Sequence, residues 1–203
     1  MPINTVIFDL GGVLIDWNPR YLYRKVFQDE ARMEYFLEHI CSSHWNEEQD
    51  GGRSLKVGTE LLIAQHPDWE NEIRLFYGRW TEMIGGVFKD TIQILSAIKN
   101  TGNYKLYALT NWSAETFPIA QQRYDFLNWF DGILVSGAEG VKKPDPRIYQ
   151  LLLERFDINP TKAIFIDDNF RNVLAARYEG IPTIHFKSAQ QLAHELELVG
   201  LTF

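Results

Sequence analysis

Three places along the chain put groups that can attack, bind a cation or hold an anion directly after short apolar runs. Val6-Ile7-Phe8 ends in Asp9 and then Gly11-Gly12, Lys105–Leu109 ends in Thr110-Asn111, and Ala163–Ile166 ends in Asp167-Asp168. A carboxylate at such a point can simply cap the next turn. Two adjacent carboxylates near a third are costly to bury without a cation. Asp9 with Asp168 makes a hard, all-oxygen site of the kind magnesium prefers, completed by waters and a substrate phosphate. Thr110 offers a hydroxyl. Ser113 reads as a helix N-cap, so the amides near Asn111 are expected to face an anion. Lys143, just before Pro144, adds positive charge in a loop between a strand and a capped helix.

The elements that must position these groups follow from periodicity. Short buried-strand patterns occur at Val6–Phe8, Lys105–Leu109, Ile133–Val135, Ala163–Ile166 and Thr183–Phe186. Helical patterns lie between them. Ile92, Leu95 and Ile98 stop at Gly102, Asp145-Pro146 opens a helix to about Phe156, Asn172–Glu179 stops at Gly180, and Ser188 with Gln191 suits a capping box. Strands alternating with helices imply an α/β fold: a Rossmann-like parallel sheet of five main strands with helices on both faces. Ligands of such sheets bind beyond the carboxyl ends of the strands, where Asp9, Thr110-Asn111 and Asp167-Asp168 gather.

The stretch from Trp17 to about Ile84 differs. Tyr21, Leu22, Val26 and Phe27, then Met33, Phe36, Leu37 and Ile40, then Ile73, Phe76, Tyr77, Trp80 and Met83 keep helical spacing, with no convincing strand. The expectation is a helical cap, residues 17–86, inserted into a catalytic core of residues 1–16 and 87–203, with Gly85-Gly86 as a hinge. Within the cap, Trp45-Asn46 and Gln49-Asp50-Gly51-Gly52-Arg53 form a polar segment from which Asp50 and Arg53 are candidate substrate contacts.

Composition sets the bounds. The 203 residues are 45% apolar and 14% aromatic, ample for a packed core. A net charge of -7 argues against a nucleic-acid partner but allows a small anionic ligand. The single cysteine, Cys41, forms no internal disulfide, which suits a reducing compartment and reads best as a buried apolar side chain. No leader-like start and no apolar run of about 20 residues is present, so a cytoplasmic protein without a membrane partner is expected. The five histidines show no metal spacing. Oligomeric state is open.

Four segments in order carry a family resemblance: Phe8-Asp9-Leu10-Gly11-Gly12-Val13-Leu14, Leu109-Thr110-Asn111, Lys143-Pro144-Asp145-Pro146-Arg147-Ile148-Tyr149 and Ile166-Asp167-Asp168-Asn169. Together they resemble the haloacid dehalogenase superfamily, subfamily I with a helical C1 cap, over essentially the whole chain. The resemblance implies a phosphatase of small phosphate esters. Asp9 would be the nucleophile that forms an aspartyl-phosphate. Asp9, Asp168 and the carbonyl of Gly11 would bind Mg2+, with Asp167 behind them. Thr110, the amide of Asn111 and Lys143 would hold phosphoryl oxygens.

One departure matters. Most phosphatases of this family carry an aspartate two residues after the nucleophile as general acid and base, a group worth roughly 10²–10⁴ in rate. Here that position is Gly11. Three explanations stand: a substrate with a good leaving group, such as a sugar 1-phosphate, as in the glucose-1-phosphate branch that this chain resembles; an acid from elsewhere, Asp16 or Asp50; or lost turnover. The rival reactions are metal-independent 2-haloacid dehalogenation, disfavoured by the retained Asp167-Asp168 pair, and non-catalytic ligand binding.

Overall fold

The computed structural model describes residues 2–203. Its strands are β1 (Thr5–Phe8), β2 (Ile15–Trp17), β3 (Ile84–Val87), β4 (Lys105–Thr110), β5 (Gly132–Val135), β6 (Ala163–Asp167) and β7 (Thr183–His185). Its α-helices are α1 (Arg20–Tyr23), α2 (Glu30–His39), α3 (Ser43–Asp50), α4 (Leu55–Gln65), α5 (Glu70–Gly78), α6 (Lys89–Thr101), α7 (Phe117–Arg123), α8 (Ser136–Glu139), α9 (Pro146–Arg155), α10 (Phe170–Tyr178) and α11 (Ala189–Leu198).

The main sheet is parallel, in the order β5-β4-β1-β6-β7, with β1 at its centre. This is the five-stranded α/β architecture that the alternating pattern implies. Side chains alternate across it as the strand period requires. Val6, Phe8, Leu106 and Ile164 face one layer with Leu95 and Ile98 of α6 and Leu192 and Leu196 of α11. Ile7, Tyr107, Leu109 and Phe165 face the other, with Ile148 and Leu152 of α9 and Ala176 of α10. Both faces are therefore covered, and each central strand reads as a continuous apolar run.

Local signals set the helix ends. Asp145 accepts from the Arg147 amide with Pro146 at the first helical position, and Gly102 closes α6 at a φ of 67°. Ser188 accepts from the Gln191 amide, whereas the Gln191 side chain accepts from Lys187 rather than Ser188, so only half of the capping box forms.

The insert α1–α5 is helical, built around Tyr23, Phe36, Trp45, Phe76 and Trp80. Its base is not. β2 and β3 pair antiparallel where the chain leaves and re-enters the core, a ribbon that helical periodicity does not reveal. Gly85, expected at a hinge, lies within this ribbon. A Cβ there would strike the Asp16 carboxylate and the Tyr21 ring, so the glycine permits close packing.

Candidate active site

The strand order brings the separated motifs together. β1 lies between β4 and β6, so Asp9, Thr110-Asn111 and Asp167-Asp168 emerge side by side at one edge of the sheet. Asp9 is buried in the turn after β1, where its amide donates to the Ile166 carbonyl and its Oδ1 accepts from the Leu10 amide at 2.7 Å. The turn depends on Gly12. Its φ is 73°, and a Cβ at this position would run into the Asp168 carboxylate. Gly11 is different, because nothing lies within 4 Å of where its side chain would begin.

Lys143 is the electrostatic centre. Its side chain is fully buried, and Nζ donates to Asp167 Oδ2 at 2.7 Å and to the Leu109 carbonyl at 2.9 Å, with Asp9 Oδ1 at 3.0 Å. Burial works against the charged amine, but the two carboxylates overcome it and hold its pKa above the ordinary lysine value. Asn111 fixes the lysine loop with a reciprocal pair: its Nδ2 donates to the Lys143 carbonyl at 2.9 Å and its Oδ1 accepts from the Lys143 amide at 2.8 Å. The Asn111 side chain is thereby committed to the scaffold, leaving its backbone amide for a ligand.

The acidic pair divides in role. Asp167 is wholly buried and saturated, accepting from Lys143, from Asn172 Nδ2 at 3.1 Å on each oxygen and from the Asn169 amide at 2.8 Å. Asp168 is exposed; its carbonyl is anchored by His185 Nε2 at 2.9 Å, and its residue lines the cavity above Asp9. One carboxylate oxygen from each of Asp9, Asp167 and Asp168 falls within 4.8 Å of the others. Burial, with the neighbouring Asp167 and Asp168 charges, lifts Asp9 to about 8 despite the opposing pull of Lys143. Burial and Asp167 likewise raise Asp168. Three carboxylates around one ammonium leave negative charge uncompensated, and an all-oxygen donor set of this kind fits a hard divalent cation.

Above this floor lies a cavity of about 270 Å³, lined from the core by Asp9, Gly11, Asn111, Lys143 and Asp168, and from the cap by Trp17, Asn46, Asp50, Tyr77 and Trp80. The cap presents a hydrogen-bonded row. Gln49 Nε2 donates to the Tyr77 hydroxyl at 3.1 Å, Tyr77 donates to Asn46 Oδ1 at 3.0 Å, and Asn46 Nδ2 donates to Asp50 Oδ2 at 3.0 Å. Ser136 ties cap to core, accepting from the Trp112 amide at 3.0 Å and donating to the Asp50 carbonyl at 2.5 Å.

Several sequence expectations change here. Arg53 does not face the cavity; its guanidinium is held by Gln49 Oε1 at 2.6 Å and the Trp45 carbonyl at 3.3 Å. Asp16 accepts from the Tyr21 hydroxyl and also lies outside the cavity lining. Thr110 is buried beneath the lining rather than on it. Ser113 is no helix N-cap: it accepts from the Glu115 amide in a turn, and α7 starts only at Phe117. Tyr77, Asn172 and Ser136 escape the sequence reading. Tyr77 sits in an aromatic stripe that periodicity assigns wholly to cap core, and the other two gain meaning only from partners distant in sequence.

Fold and site define an α/β protein with a buried carboxylate in a cavity at the carboxyl end of its central strand. A family model described as haloacid dehalogenase-like hydrolase matches residues 3–180. The chain belongs to this family. It is 29% identical to the sesquiterpene phosphatase astK of Aspergillus oryzae, over 97% of both chains. It is 34% identical to acyl-CoA dehydrogenase family member 10 of Mus musculus over 96% of this chain, although it spans only 19% of that longer protein. A HAD family enzyme of Bacteroides thetaiotaomicron, solved with magnesium and inorganic phosphate, superposes with a TM-score of 0.69 at 19% identity, covering 95% of this chain and 98% of the other. That last likeness concerns the fold. No helix among the described residues is long and apolar enough to cross a membrane.

Proposed function

We propose that the chain is a magnesium-dependent phosphatase that hydrolyses a small phosphorylated metabolite through a phosphoryl group carried transiently on Asp9. The observation that carries this reading is the buried Lys143 ammonium clamped between Asp9 and Asp167 at the cavity floor. It orients Asp9 and adds positive charge where a phosphoryl group must approach a carboxylate. Leu10 and Lys143 both engage Oδ1 of Asp9, which leaves Oδ2 to attack phosphorus.

Asp9, Asp168 and the Gly11 carbonyl are the groups that would hold magnesium, whereas Asp167, saturated by Lys143 and Asn172, fixes their surroundings. The bound ion supplies charge neutralisation for the phosphoryl oxygens. Lys143 and the Asn111 amide hold those oxygens from the protein side, with Thr110 supporting the strand end below. The domain division follows the same logic: residues 17–86 close over a site carried by residues 1–16 and 87–203.

The lining favours a sugar phosphate. Trp17, Tyr77 and Trp80 offer ring faces, while Asn46, Asp50, Ser113 and Thr116 offer polar partners for hydroxyls. Haloacid dehalogenation is less well supported, because it has no use for Asp168 as an acidic group beside the nucleophile.

A panel of sugar phosphates, nucleotides and phosphorylated acids tests the reading. Phosphate release from sugar phosphates, stimulated by magnesium and stopped by a chelator, is expected. Chloride release from chloroacetate that is indifferent to the chelator would overturn it.

A further inference from the structure

A phosphoryl transfer to Asp9 must expel an ester oxygen, and a poor leaving group needs a proton as it departs. Gly11 offers none. Four carboxylates line the cavity: Asp9, Glu47, Asp50 and Asp168. Asp9 is the attacking group and Asp168 belongs with the cation. Glu47 is held by Lys142, with Nζ at 2.9 Å from its Oε2. Asp50 remains, its carboxylate held by Asn46 Nδ2 at 3.0 Å.

We propose that Asp50, delivered by the cap, is the general acid and base of this site, taking over the role that Gly11 cannot fill. This assignment rests on the phosphatase reading above. As Oδ2 of Asp9 forms its bond to phosphorus, the bond from phosphorus to the ester oxygen breaks, its electron pair staying on that oxygen. The Asp50 carboxyl passes its proton there, and the alcohol leaves. The Asp50 carboxylate then takes a proton from water as the water oxygen attacks phosphorus. The bond from phosphorus to Asp9 breaks, inorganic phosphate departs, and Asp50 is again protonated.

The surroundings suit both halves of this cycle. Asp50 is the last residue of α3, and its carbonyl is pinned to the core through Ser136. Its carboxyl is aimed by Asn46, which accepts from the Tyr77 hydroxyl, itself an acceptor from Gln49. Asn46 and Tyr77 are thus positioning residues. The charged and titratable groups facing Asp50 are Lys142 from the loop before α9, Glu47 on its own helix and Tyr77 on α5, together with the Ser113 amide. Burial outweighs the pull of Lys142 and lifts the carboxyl to about 7, where it can give and take a proton near neutral pH. Nothing lies within 4 Å of where a Gly11 side chain would begin, and Gly11 lines the same cavity as both aspartates, which leaves room there for a leaving group.

A series of substituted phenyl phosphates of similar shape, from nitrophenyl to phenyl to ethylphenyl, tests this with magnesium present. In the unaltered protein kcat/KM is expected to depend weakly on leaving-group basicity. In Asp50→Asn, which keeps an acceptor for Asn46, the dependence steepens: a loss of about 10²-fold or more for ethylphenyl phosphate, and a much smaller loss for nitrophenyl phosphate. The alkaline limb of the phenyl phosphate pH profile disappears in the same variant. Asp50→Glu keeps a carboxyl and restores the weak dependence, so the test survives if the asparagine variant fails to fold. Equal losses across the series, or none, overturn the assignment while leaving the phosphatase reading intact. No phosphate release from any member by the unaltered protein overturns both.

Discussion

Replacing Lys143 by methionine removes the ammonium that Asp9 and Asp167 share and puts an apolar chain of similar length in its place. At 3.0 and 2.7 Å, and with an effective dielectric constant of about 20, each contact contributes about 5–6 kcal/mol of attraction. Much of this offsets the cost of burying the amine, so the net figure is smaller. Breaking a buried pair by deleting one partner costs about 3–5 kcal/mol, because the remaining charges stay buried and unpaired. For a chain of 203 residues that lowers Tm by about 6–20 °C. The assay is thermal unfolding followed by circular dichroism with a chelator present, so that no divalent cation substitutes for the lost charge. Adding Asp167→Asn to the methionine variant removes one orphaned carboxylate and should recover at least about 1 kcal/mol. A Tm within about 2 °C of the unaltered protein would refute the claim that this lysine holds the acidic cluster together, as would a double variant less stable than the single one.

Three further outcomes follow from the geometry. Gly12→Ala forces a left-handed residue and drives a methyl group into the Asp168 carboxylate, so it should cost about 1–2 kcal/mol in urea unfolding and lower magnesium-stimulated phosphate release together. Arg53→Ala removes hydrogen bonds inside the cap only; stability should fall by about 1 kcal/mol while KM for an aryl phosphate changes less than twofold, and a large rise in KM would restore Arg53 to the substrate site. Ser136→Ala strips the Trp112 amide and the Asp50 carbonyl of their shared partner, which should cost about 1–3 kcal/mol and accelerate hydrogen exchange at Trp112 by native-state measurement.

Much of this architecture is legible in the sequence because the signals are local. The central strands of the parallel sheet, β1, β4 and β6, are buried on both faces and so read as apolar runs. Gly102, Asp145-Pro146 and Ser188 mark helix ends by their own chemistry. The floor of the site is legible for a related reason: Asp9, Thr110 and Asp167-Asp168 follow directly from the strands that carry them. What lies above the floor is not. The β2–β3 ribbon is three and four residues long and includes Gly85-Gly86, so it offers no alternating pattern to read. Arg53 and Asp50 look equivalent as polar residues of one segment, yet the turn of α3 sends one toward Trp45 and the other into the cavity. The scaffold role of the Asn111 side chain shows only when Lys143 is found 32 positions away, bonded to both ends of its carboxamide. Tyr77 is indistinguishable from its core neighbours Phe76 and Trp80 until its hydroxyl meets Asn46.

The proposed attack by Asp9 is the central claim, and Asp9→Asn tests it most directly, since the amide keeps the shape of the side chain and removes the carboxylate. Steady-state phosphate release from nitrophenyl phosphate with magnesium, measured beside the variant's unfolding curve, gives the answer. A folded Asp9→Asn protein whose kcat has fallen by about 10³-fold or more is the expected result. A folded variant that retains kcat within tenfold of the unaltered chain would contradict covalent catalysis at Asp9.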